Sequence, residues 1–204
     1  MVNYLSGRSR KLALGMGRTR TFDLESAIGT ATTLFWRGYD QTSLADLTAG
    51  LGIGAASFYF AFESKEKLFR EVVGRYVAAL EKAYEDALRD SPTRAGIETL
   101  LRHYADVVTA PAHTPGCLVV NSSPAIQADD IVKQWLAGHR EALRVRLEER
   151  FSADLAHGEV PPGSDPKTLA RFIMTLAGGI AVEAQAGASR KDLYTMIDLA
   201  LHAL

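Results

Sequence analysis

One stretch of the chain, residues 42–68, decides the fold: TSLADLTAGLGIGAASFYFAFESKEKL. Ser43 and Asp46 have the spacing of a capping box, in which two side chains satisfy free backbone N–H groups at a helix start. Leucines follow at steps of three and four residues and give this helix one apolar face. Gly52 comes next, and glycine readily adopts the left-handed conformation of a tight turn. The pattern predicts a short helix from about residue 43 and a turn at Gly52.

A second short helix is predicted from about residue 54 to residue 60. Phe58 and Phe62 are expected to face the core, which leaves a small, flat outward face. Ser64 then begins a longer helix, whose first-turn N–H groups and lysines suit a phosphate. A short glycine turn between two such helices is typical of the helix-turn-helix, which places its second helix in the major groove of DNA. A generic helix pair of a bundle has the same spacing, so spacing alone leaves both interpretations open.

Residues 22–68 resemble the DNA-binding domain of the TetR family of transcriptional regulators. The matching residues are Phe22, Ala27 and Leu34-Phe35 in the first helix, Gly38-Tyr39 at its exit, Thr42-Ser43-Leu44-Ala45-Asp46-Leu47 in the second helix, Ser57-Phe58-Tyr59-Phe60-Ala61-Phe62 in the recognition helix, and Ser64-Lys65 with Leu68 at the fourth. The resemblance implies an all-α chain with about nine helices. It also implies a small N-terminal three-helix domain that is joined to a larger helical domain for ligand binding and dimerisation.

The resemblance further implies roles for single residues. Tyr59 is expected to contact a phosphate, Ser57 a phosphate or base edge, and Phe60 a thymine methyl group. Lys65 and the N–H groups of its helix start are expected to hold the DNA backbone. The predicted DNA-binding residues are Arg18, Arg20, Thr42, Ser43, Gly54, Ala55, Ala56, Ser57, Tyr59, Phe60 and Lys65.

The chain departs from the common family pattern at several positions of this domain. Gly54 and Ala55 stand where a serine and a long polar residue are frequent, and Ala61 stands where a phosphate-binding histidine is frequent. Few side chains are therefore able to read bases by hydrogen bonds. Specificity is expected to depend on methyl contacts, close backbone approach and DNA shape.

Charge is unevenly distributed along the chain, although the formal net charge is only −1. Residues 1–20 carry five basic and no acidic side chains, whereas residues 21–75 carry five basic and seven acidic ones. A basic segment ahead of the domain favours salt-sensitive attraction to DNA. We therefore predict a basic flexible arm over residues 1–17; an uninvolved tail, or an extension ahead of a natural start at Met16, are the alternatives.

Composition is that of a globular protein, with 204 residues, 47% of them hydrophobic and 23% charged. No stretch approaches about 18 consecutive apolar residues, the length that a membrane-spanning helix needs. The N-terminus lacks the continuous apolar region and cleavage site of a signal peptide. With its single cysteine, Cys117, the chain is expected to be cytoplasmic.

Beyond residue 65 the sequence is helical by period, and no strand pattern competes. Apolar residues at four-residue steps predict one long helix over 64–89 that runs from the DNA-binding domain, residues 18–65, into the larger domain, residues 66–204. Further helices are predicted near 93–110, 117–128, 130–157, 166–187 and 190–203, separated by proline- and glycine-containing breaks.

The last two helices contain many small residues and a long apolar stripe. Burial within one subunit explains such a pattern as well as dimerisation does. The family resemblance favours a homodimer in which these helices pair across a twofold axis, and a dimer would bind a near-palindromic operator. The predicted interface residues are Leu176, Gly179, Ile180, Leu193, Ile197 and Leu201.

The resemblance also implies a pocket in the larger domain for a small-molecule effector that releases a repressor from its operator. For each single candidate an ordinary core position is the favoured alternative, whereas the aromatic, uncharged character of the whole set favours an apolar or aromatic ligand. The candidates are Tyr76, Leu80, Tyr84, His103, Tyr104, Val107, Cys117, Asn121, Trp135, His139, Phe172 and Thr175.

Three other functions have less support in the sequence. Cys117 opens a predicted helix, a position that lowers thiol pKa values and suits a thiol or metal sensor, but the sequence favours a small buried hydrophobe at this position. An enzyme is not expected, because glycine-rich phosphate loops and hydrolase motifs are absent; no cofactor or resident metal is predicted. The acidic DNA-binding domain leaves open a ligand-binding protein without DNA activity.

Overall fold

The computed structural model describes residues 11–12, 22–89, 91–122 and 131–202. Within these residues the chain forms nine helices, which confirms the predicted all-α fold: α1 (Leu24–Phe35), α2 (Leu44–Leu51), α3 (Ala55–Phe62), α4 (Lys65–Leu88), α5 (Thr93–Val108), α6 (Leu118–Ser122), α7 (Ile131–His157), α8 (Pro166–Gln185) and α9 (Arg190–Leu201).

Two very short strands, which the sequence pattern did not predict, precede the helices. β1 (Lys11–Leu12) pairs antiparallel with β2 (Phe22–Asp23) directly before α1. Part of the predicted flexible arm is therefore paired with the start of the DNA-binding domain. A pairing of only two residues in each strand has no turn or cap pattern from which it could be predicted in the sequence.

Local signals set the bounds of α2 as predicted. The Asp46 N–H donates to Ser43 Oγ at 3.1 Å, and the Ser43 N–H donates to Asp46 Oδ2 at 2.8 Å. This capping box satisfies two N–H groups at the helix start. Gly52 ends the helix in the left-handed conformation, with φ 65°. The predicted helix, glycine turn and second helix are all present.

A tight turn at Glu63 joins α3 to α4. The Ser64 N–H donates to the Phe62 carbonyl at 2.7 Å, and Glu63 between them has φ 63° and ψ −43°. This three-residue γ-turn with positive φ is rare and strained for a residue with a side chain. The turn fixes the angle between α3 and the long helix that follows.

The helix α4 runs through both domains, as predicted. Its first half buries Phe69, which packs edge-on against Phe35 of α1 with ring centres 5.1 Å apart. Its second half buries Tyr76 and Tyr84 in the larger domain. One helix therefore contributes side chains to the cores of both domains.

A buried polar cluster anchors the far end of α4. The Arg150 guanidinium on α7 donates to the Leu88 carbonyl at 2.5 Å and to the Ser91 carbonyl at 2.9 Å, and it pairs with buried Asp154 at 2.7 Å. Thr93 at the start of α5 also donates to Asp154. Loss of one partner of a buried ion pair typically costs about 3–5 kcal/mol, so this cluster holds α4, α5 and α7 together.

No single helix in the described ranges is long and apolar enough to cross a membrane. Only α2 and α3 taken together satisfy the length and composition, and they are bent by 93° at their turn.

Candidate DNA-binding surface and effector core

The outward face of α3 is the main candidate DNA-binding surface. Phe60 is 68% exposed and Tyr59 is 50% exposed, whereas Phe58 and Phe62 on the opposite face are buried. Large aromatic side chains are rarely left in water without a partner surface. The period of the sequence predicted this division of the four aromatic residues.

The start of α3 is small and open. Ala55 and Ala56 are exposed, Ser57 is half-buried, and a Cβ atom added at Gly54 would meet nothing within 4 Å. Gly54 occupies the N-cap position, where no side chain caps the helix. Uncapped N–H groups at the positive end of a helix attract anions such as phosphate.

Thr42 needs a correction, because its side chain faces the protein. It is fully buried, and its hydroxyl lies 2.9 Å from both the Leu34 and the Gly38 carbonyl. Thr42 therefore fixes the exit of α1 and does not face DNA. Only the tertiary structure shows where this hydroxyl points.

Ser43 has a structural role as well. Its hydroxyl accepts from the Asp46 N–H and donates to the Asp46 carboxylate at 2.7 Å. The residue is exposed, but its oxygen already participates in the capping box. A contact from Ser43 to DNA would compete with this cap.

Lys65 begins α4 and lies beside the turn after α1. Its ammonium group is 4.1 Å from the centre of the Tyr39 ring, a cation–π contact. Partial burial lowers the pKa of Lys65, and the nearby carboxylates of Asp40 and Asp46 oppose this shift. Lys65 lies at the start of α4, where the sequence predicted a contact with the DNA backbone.

The other basic side chains of residues 22–75 are occupied by carboxylates. The ion pairs are Arg37 with Asp46, Lys67 with Glu63, Arg70 with Glu66, and Arg75 with both Glu25 and Glu71. No described carboxylate forms an ion pair with Lys65. Positive charge for DNA is therefore scarce on this domain. Arg18 and Arg20, the predicted contacts of the arm, lie outside the described residues.

In the larger domain, three of the predicted pocket residues meet in one core cluster. The Tyr76 hydroxyl donates to Cys117 Sγ at 3.4 Å. Desolvation raises the pKa of Tyr104 well above its usual value, and the neighbouring Cys117 thiol contributes to the shift. We call Tyr76, Tyr104 and Cys117 the tyrosine–cysteine cluster; it joins α4, α5 and the start of α6.

The remaining pocket candidates do not form one wall. Trp135 and His139 line an open cavity of about 340 Å³ on α7 with Gly138 and Ala142. The Tyr84 hydroxyl already donates to the Arg146 carbonyl at 3.2 Å. Leu80, His103 and Phe172 are half-buried, and Val107 is buried.

Two pocket candidates lie elsewhere in the structure and need correction. Thr175 is exposed on α8, and its hydroxyl donates to the Arg171 carbonyl at 2.8 Å. Asn121 points towards the DNA-binding domain, where its amide donates to the Trp36 carbonyl at 2.6 Å. Both residues were candidates for a pocket that the family resemblance implies, and the resemblance does not indicate which neighbours their side chains meet.

Most of the predicted dimer interface is buried inside the single subunit. Ile180, Leu193, Ile197 and Leu201 belong to the subunit core, where α9 packs against α5 and α8. These four residues are therefore not available to a partner subunit. An apolar stripe does not distinguish intramolecular from intermolecular packing, and here the intramolecular explanation is correct. Leu176 and Gly179 are half-buried.

The other faces of α8 and α9 expose apolar side chains. Leu199 on α9 is 74% exposed and Val182 on α8 is 51% exposed. Both lie on the two helices that the sequence assigned to dimerisation. The assignment of these two helices to a dimer interface therefore stays a prediction.

Trp36 was missed in the sequence. It is buried at the end of α1, yet its indole N–H donates to the Gly116 carbonyl at 3.1 Å, in the larger domain. A tryptophan two residues before Gly38, at the end of the first helix, is the only available signal, and it does not identify a partner.

A metal centre has no support in the described residues, which contain no group of three or more His, Cys, Asp or Glu side chains arranged to share an ion.

Two family profiles match the chain. The N-terminal profile, bacterial regulatory proteins of the tetR family, covers residues 27–72. The second, a tetracyclin repressor-like C-terminal domain, covers residues 93–198. Together they span the helix-turn-helix and almost all of the larger domain.

Characterised relatives match over nearly the whole chain. The HTH-type transcriptional repressor ComR of Escherichia coli K12 is 32% identical over 183 residues, which cover 87% of this chain and 86% of ComR. The HTH-type transcriptional repressor BdcR of the same organism is 29% identical over 192 residues, 92% of each chain.

A solved structure contains DNA. A cysteine variant of the TetR family transcriptional regulator CifR, in complex with 26-bp double-strand operator DNA, is 33% identical and superposes with a TM-score of 0.83. The match covers 91% of this chain and 99% of the CifR chain. The helix-turn-helix, the larger helical domain and these relatives lead to one conclusion: the chain belongs to the TetR family of bacterial regulatory proteins, which are DNA-binding transcriptional regulators and not enzymes.

Proposed function

We propose that the protein is a repressor that binds a near-palindromic operator as a homodimer and leaves it when a small molecule occupies the larger domain. The observation that carries this proposal is the outward face of α3, where Tyr59 and Phe60 are exposed while Phe58 and Phe62 hold the helix in the core. Repression is supported by the names of the relatives ComR and BdcR.

In this proposal α3 enters the major groove with its small N-terminal end first. Gly54 and Ala55 allow the backbone to approach the DNA closely, and the uncapped N–H groups of α3 face a phosphate. Tyr59 donates its hydroxyl to a phosphate, and Phe60 packs on a thymine methyl group. The helix carries no charged residue, so operator choice depends on methyl contacts and on DNA shape.

Backbone affinity is supplied mainly by Lys65 and by the basic residues of the arm. The other cations of residues 22–75 are paired with carboxylates, so they contribute little net attraction. Each phosphate contact releases counterions, which makes binding steeply dependent on salt. Without its arm this domain has few available cations, so we expect its affinity for DNA to depend only weakly on the salt concentration.

The homodimer in this proposal forms through the exposed faces of α8 and α9. Val182 and Leu199 provide the large apolar side chains there, and half-buried Leu176 and Gly179 lie on the same helix as Val182. A twofold pairing of these faces directs both α3 helices to one side of the dimer. The two helices then read half-sites about 34–36 Å apart, one DNA turn.

The effector acts at or beside the tyrosine–cysteine cluster. Tyr76 lies on α4, whose first residue is Lys65, so a ligand that displaces Tyr76 also displaces the DNA-binding end of this helix. Release requires that the ligand bind the displaced state more tightly than the operator-bound state. Two phenol hydroxyls within an apolar core favour an aromatic ligand that carries one hydrogen-bonding group.

A thiol-responsive regulator is the second candidate, favoured by the contact of the Tyr76 hydroxyl with Cys117 Sγ. In that case oxidation of Cys117 would replace effector binding as the displacing event. The Cys117→Ser variant separates the two: release by hydrogen peroxide that persists in this variant excludes the thiol mechanism.

The proposed function is tested by a gel-shift titration with the DNA directly upstream of the protein's own gene. We expect a specific, salt-dependent shift that unlabelled upstream DNA competes away and scrambled DNA does not. The operator lies in the cytoplasm, where we expect the protein to act. A protein that shifts no upstream fragment, yet is folded and dimeric, would instead be a ligand-binding protein without DNA activity.

A further inference from the structure

Asn121, on the short helix α6, hydrogen-bonds to the end of α1 and to the end of α8. Its side-chain amide donates to the Trp36 carbonyl at 2.6 Å, 85 residues earlier in the chain and at the end of α1. Its side-chain oxygen accepts from the Gln185 amide at the end of α8. Asn121 therefore uses its donor towards the DNA-binding domain and its acceptor towards the dimerisation helices.

Trp36 is held in the larger domain by further contacts. Its indole N–H donates to the Gly116 carbonyl at 3.1 Å, its ring stacks on His113 with ring centres 3.6 Å apart, and its edge meets Tyr76 at 5.3 Å. The end of α1 is thus enclosed by the segment before α6 and by α4. A displacement of Asn121 would therefore act on Trp36, which is firmly fixed to the DNA-binding domain.

Two glycines allow this close packing. A Cβ atom at Gly38, directly after the α1 exit, would lie 3.1 Å from the Asn121 carbonyl oxygen. A Cβ atom at Gly116 would lie 2.9 Å from Asn121 Oδ1 and 2.7 Å from Gln185 Cγ. Both glycines have φ near 120°, which other residues rarely adopt. The chain therefore has glycine at both places where Asn121 and Gln185 approach the backbone most closely.

Gln185 connects this site to the dimer. It is the last residue of α8 and lies less than one helical turn after Val182, the exposed apolar residue of the proposed interface. An unbroken chain of hydrogen bonds thus runs from the end of α8, through Asn121, to the end of α1.

We infer that Asn121 is a positioning residue for DNA binding, which holds the DNA-binding domain at a fixed orientation to α8 and so sets the distance between the two α3 helices of the dimer. This inference rests on the homodimer of the proposed function. The orientation of the DNA-binding domain relative to α8 then depends on the side-chain hydrogen bonds of Asn121, in addition to the direct covalent connection through α4. Loss of either bond leaves the domains folded but frees their relative orientation.

Two variants interrupt this chain of hydrogen bonds at different points. Asn121→Asp keeps the oxygen that accepts from Gln185 and replaces the donor with an oxygen that faces the Trp36 carbonyl. Gln185→Ala removes the bond to α8 and leaves the bond to Trp36, and it alters only an exposed side chain. Gln134→Ala, a change of an exposed glutamine on α7, is the matched control.

The test measures the distance between spin labels on the two α3 helices of the dimer by pulsed dipolar spectroscopy. Ala56→Cys in the full chain provides an exposed label site, with Cys117→Ser to remove the native thiol. We expect one narrow distance peak for this parent and for Gln134→Ala. In both Asn121→Asp and Gln185→Ala we expect the narrow peak to be lost to a broad distribution, while thermal unfolding of Gln185→Ala stays like that of the parent.

A narrow peak that persists in both variants would overturn the inference, even if Asn121→Asp unfolds at a lower temperature. Should Asn121→Asp fail to fold, Gln185→Ala alone decides. A parent without any dipolar signal would show that the homodimer itself is absent, which overturns the inference for a different and recognisable reason.

Discussion

The ammonium group of Lys65 lies 4.1 Å from the centre of the Tyr39 ring, so the first residue of α4 is held against the exit of α1. The carboxylates of Asp40 and Asp46 are near Lys65, but no described carboxylate forms an ion pair with it, whereas the other cations of residues 22–75 are paired. Lys65 is therefore placed to make the main phosphate contact of the described DNA-binding domain.

Lys65→Gln is expected to weaken operator binding about tenfold at low salt and to reduce the salt-dependence slope by about one unit. Fluorescence anisotropy titrations over a range of salt concentrations measure both quantities. Lys82→Gln, which removes an exposed cation that is paired with Asp86 on the same helix, is the control. An unaltered slope for Lys65→Gln would contradict the assigned phosphate contact.

Phe60 and Phe58 are expected to differ sharply on truncation, although they are two residues apart. Phe60→Ala removes an exposed side chain, so we expect it to cost about 1–3 kcal/mol of operator-binding free energy with little effect on stability. Phe58→Ala removes a fully buried ring and should destabilise the fold by about 3–5 kcal/mol. Chemical denaturation with binding titrations separates the two effects, and equal effects of both substitutions on stability would refute the assigned orientation of α3.

Val182→Asp and Leu199→Asp are each expected to give folded monomers at micromolar concentration, since both place a charge in the proposed interface. Val145→Asp, a change of an exposed apolar residue on α7, should remain dimeric. Ile180→Asp should unfold the subunit instead, because Ile180 is fully buried within it. Sedimentation measurements give the oligomeric state; a dimeric Leu199→Asp protein would place the interface elsewhere.

Glu63→Gly is expected to stabilise the protein by about 1 kcal/mol relative to Glu63→Ala, because glycine adopts the positive φ of this turn without strain. Both substitutions remove the exposed ion pair with Lys67, so its small contribution cancels in the comparison. Thermal unfolding of the two variants provides the measurement. A glycine variant that is less stable than the alanine variant would argue against strain at Glu63.

His113 is expected to make stability depend on pH. Burial lowers its pKa in the folded protein, so the unfolded chain binds the proton more readily. The contribution of neutral His113 is therefore fully present above a pH of about 6.5, the unfolded value, and is lost as the pH falls below it.

His113→Phe keeps a ring on Trp36 without this titration, so its unfolding temperature should fall less between pH 7.5 and pH 5.5. His157→Phe, a change of an exposed histidine, should behave like the parent, and a parent-like fall in His113→Phe would exclude this origin.

Local signals allowed much of the fold to be predicted. The Ser43–Asp46 capping box and Gly52 set the bounds of α2, and the period of Phe58 and Phe62 gave the outward face of α3. These features depend on residues at most a few positions apart, so they are visible in sequence. The same reasoning gave the long α4 and the breaks after α4, α5, α7 and α8, whereas the break predicted at residues 129–130 lies outside the described residues.

Contacts between distant residues were not predictable in this way. Thr42 was predicted to bind DNA, but its hydroxyl contacts the Leu34 and Gly38 carbonyls inside the domain. The apolar stripe of α9 fills the subunit core, because α5 covers it. Asn121 meets Trp36 across 85 positions, and no local pattern encodes such a partner.

Hydroxyl-radical footprinting of the upstream DNA, with the parent and with Phe60→Ala, tests whether a dimer reads its operator through α3. We expect the parent to protect two half-sites about one helical turn, roughly 34–36 Å, apart, and Phe60→Ala to lose this protection at concentrations where the parent retains it. Protection at a single site, or equal protection by Phe60→Ala, would contradict a dimer that reads its operator with the exposed face of α3.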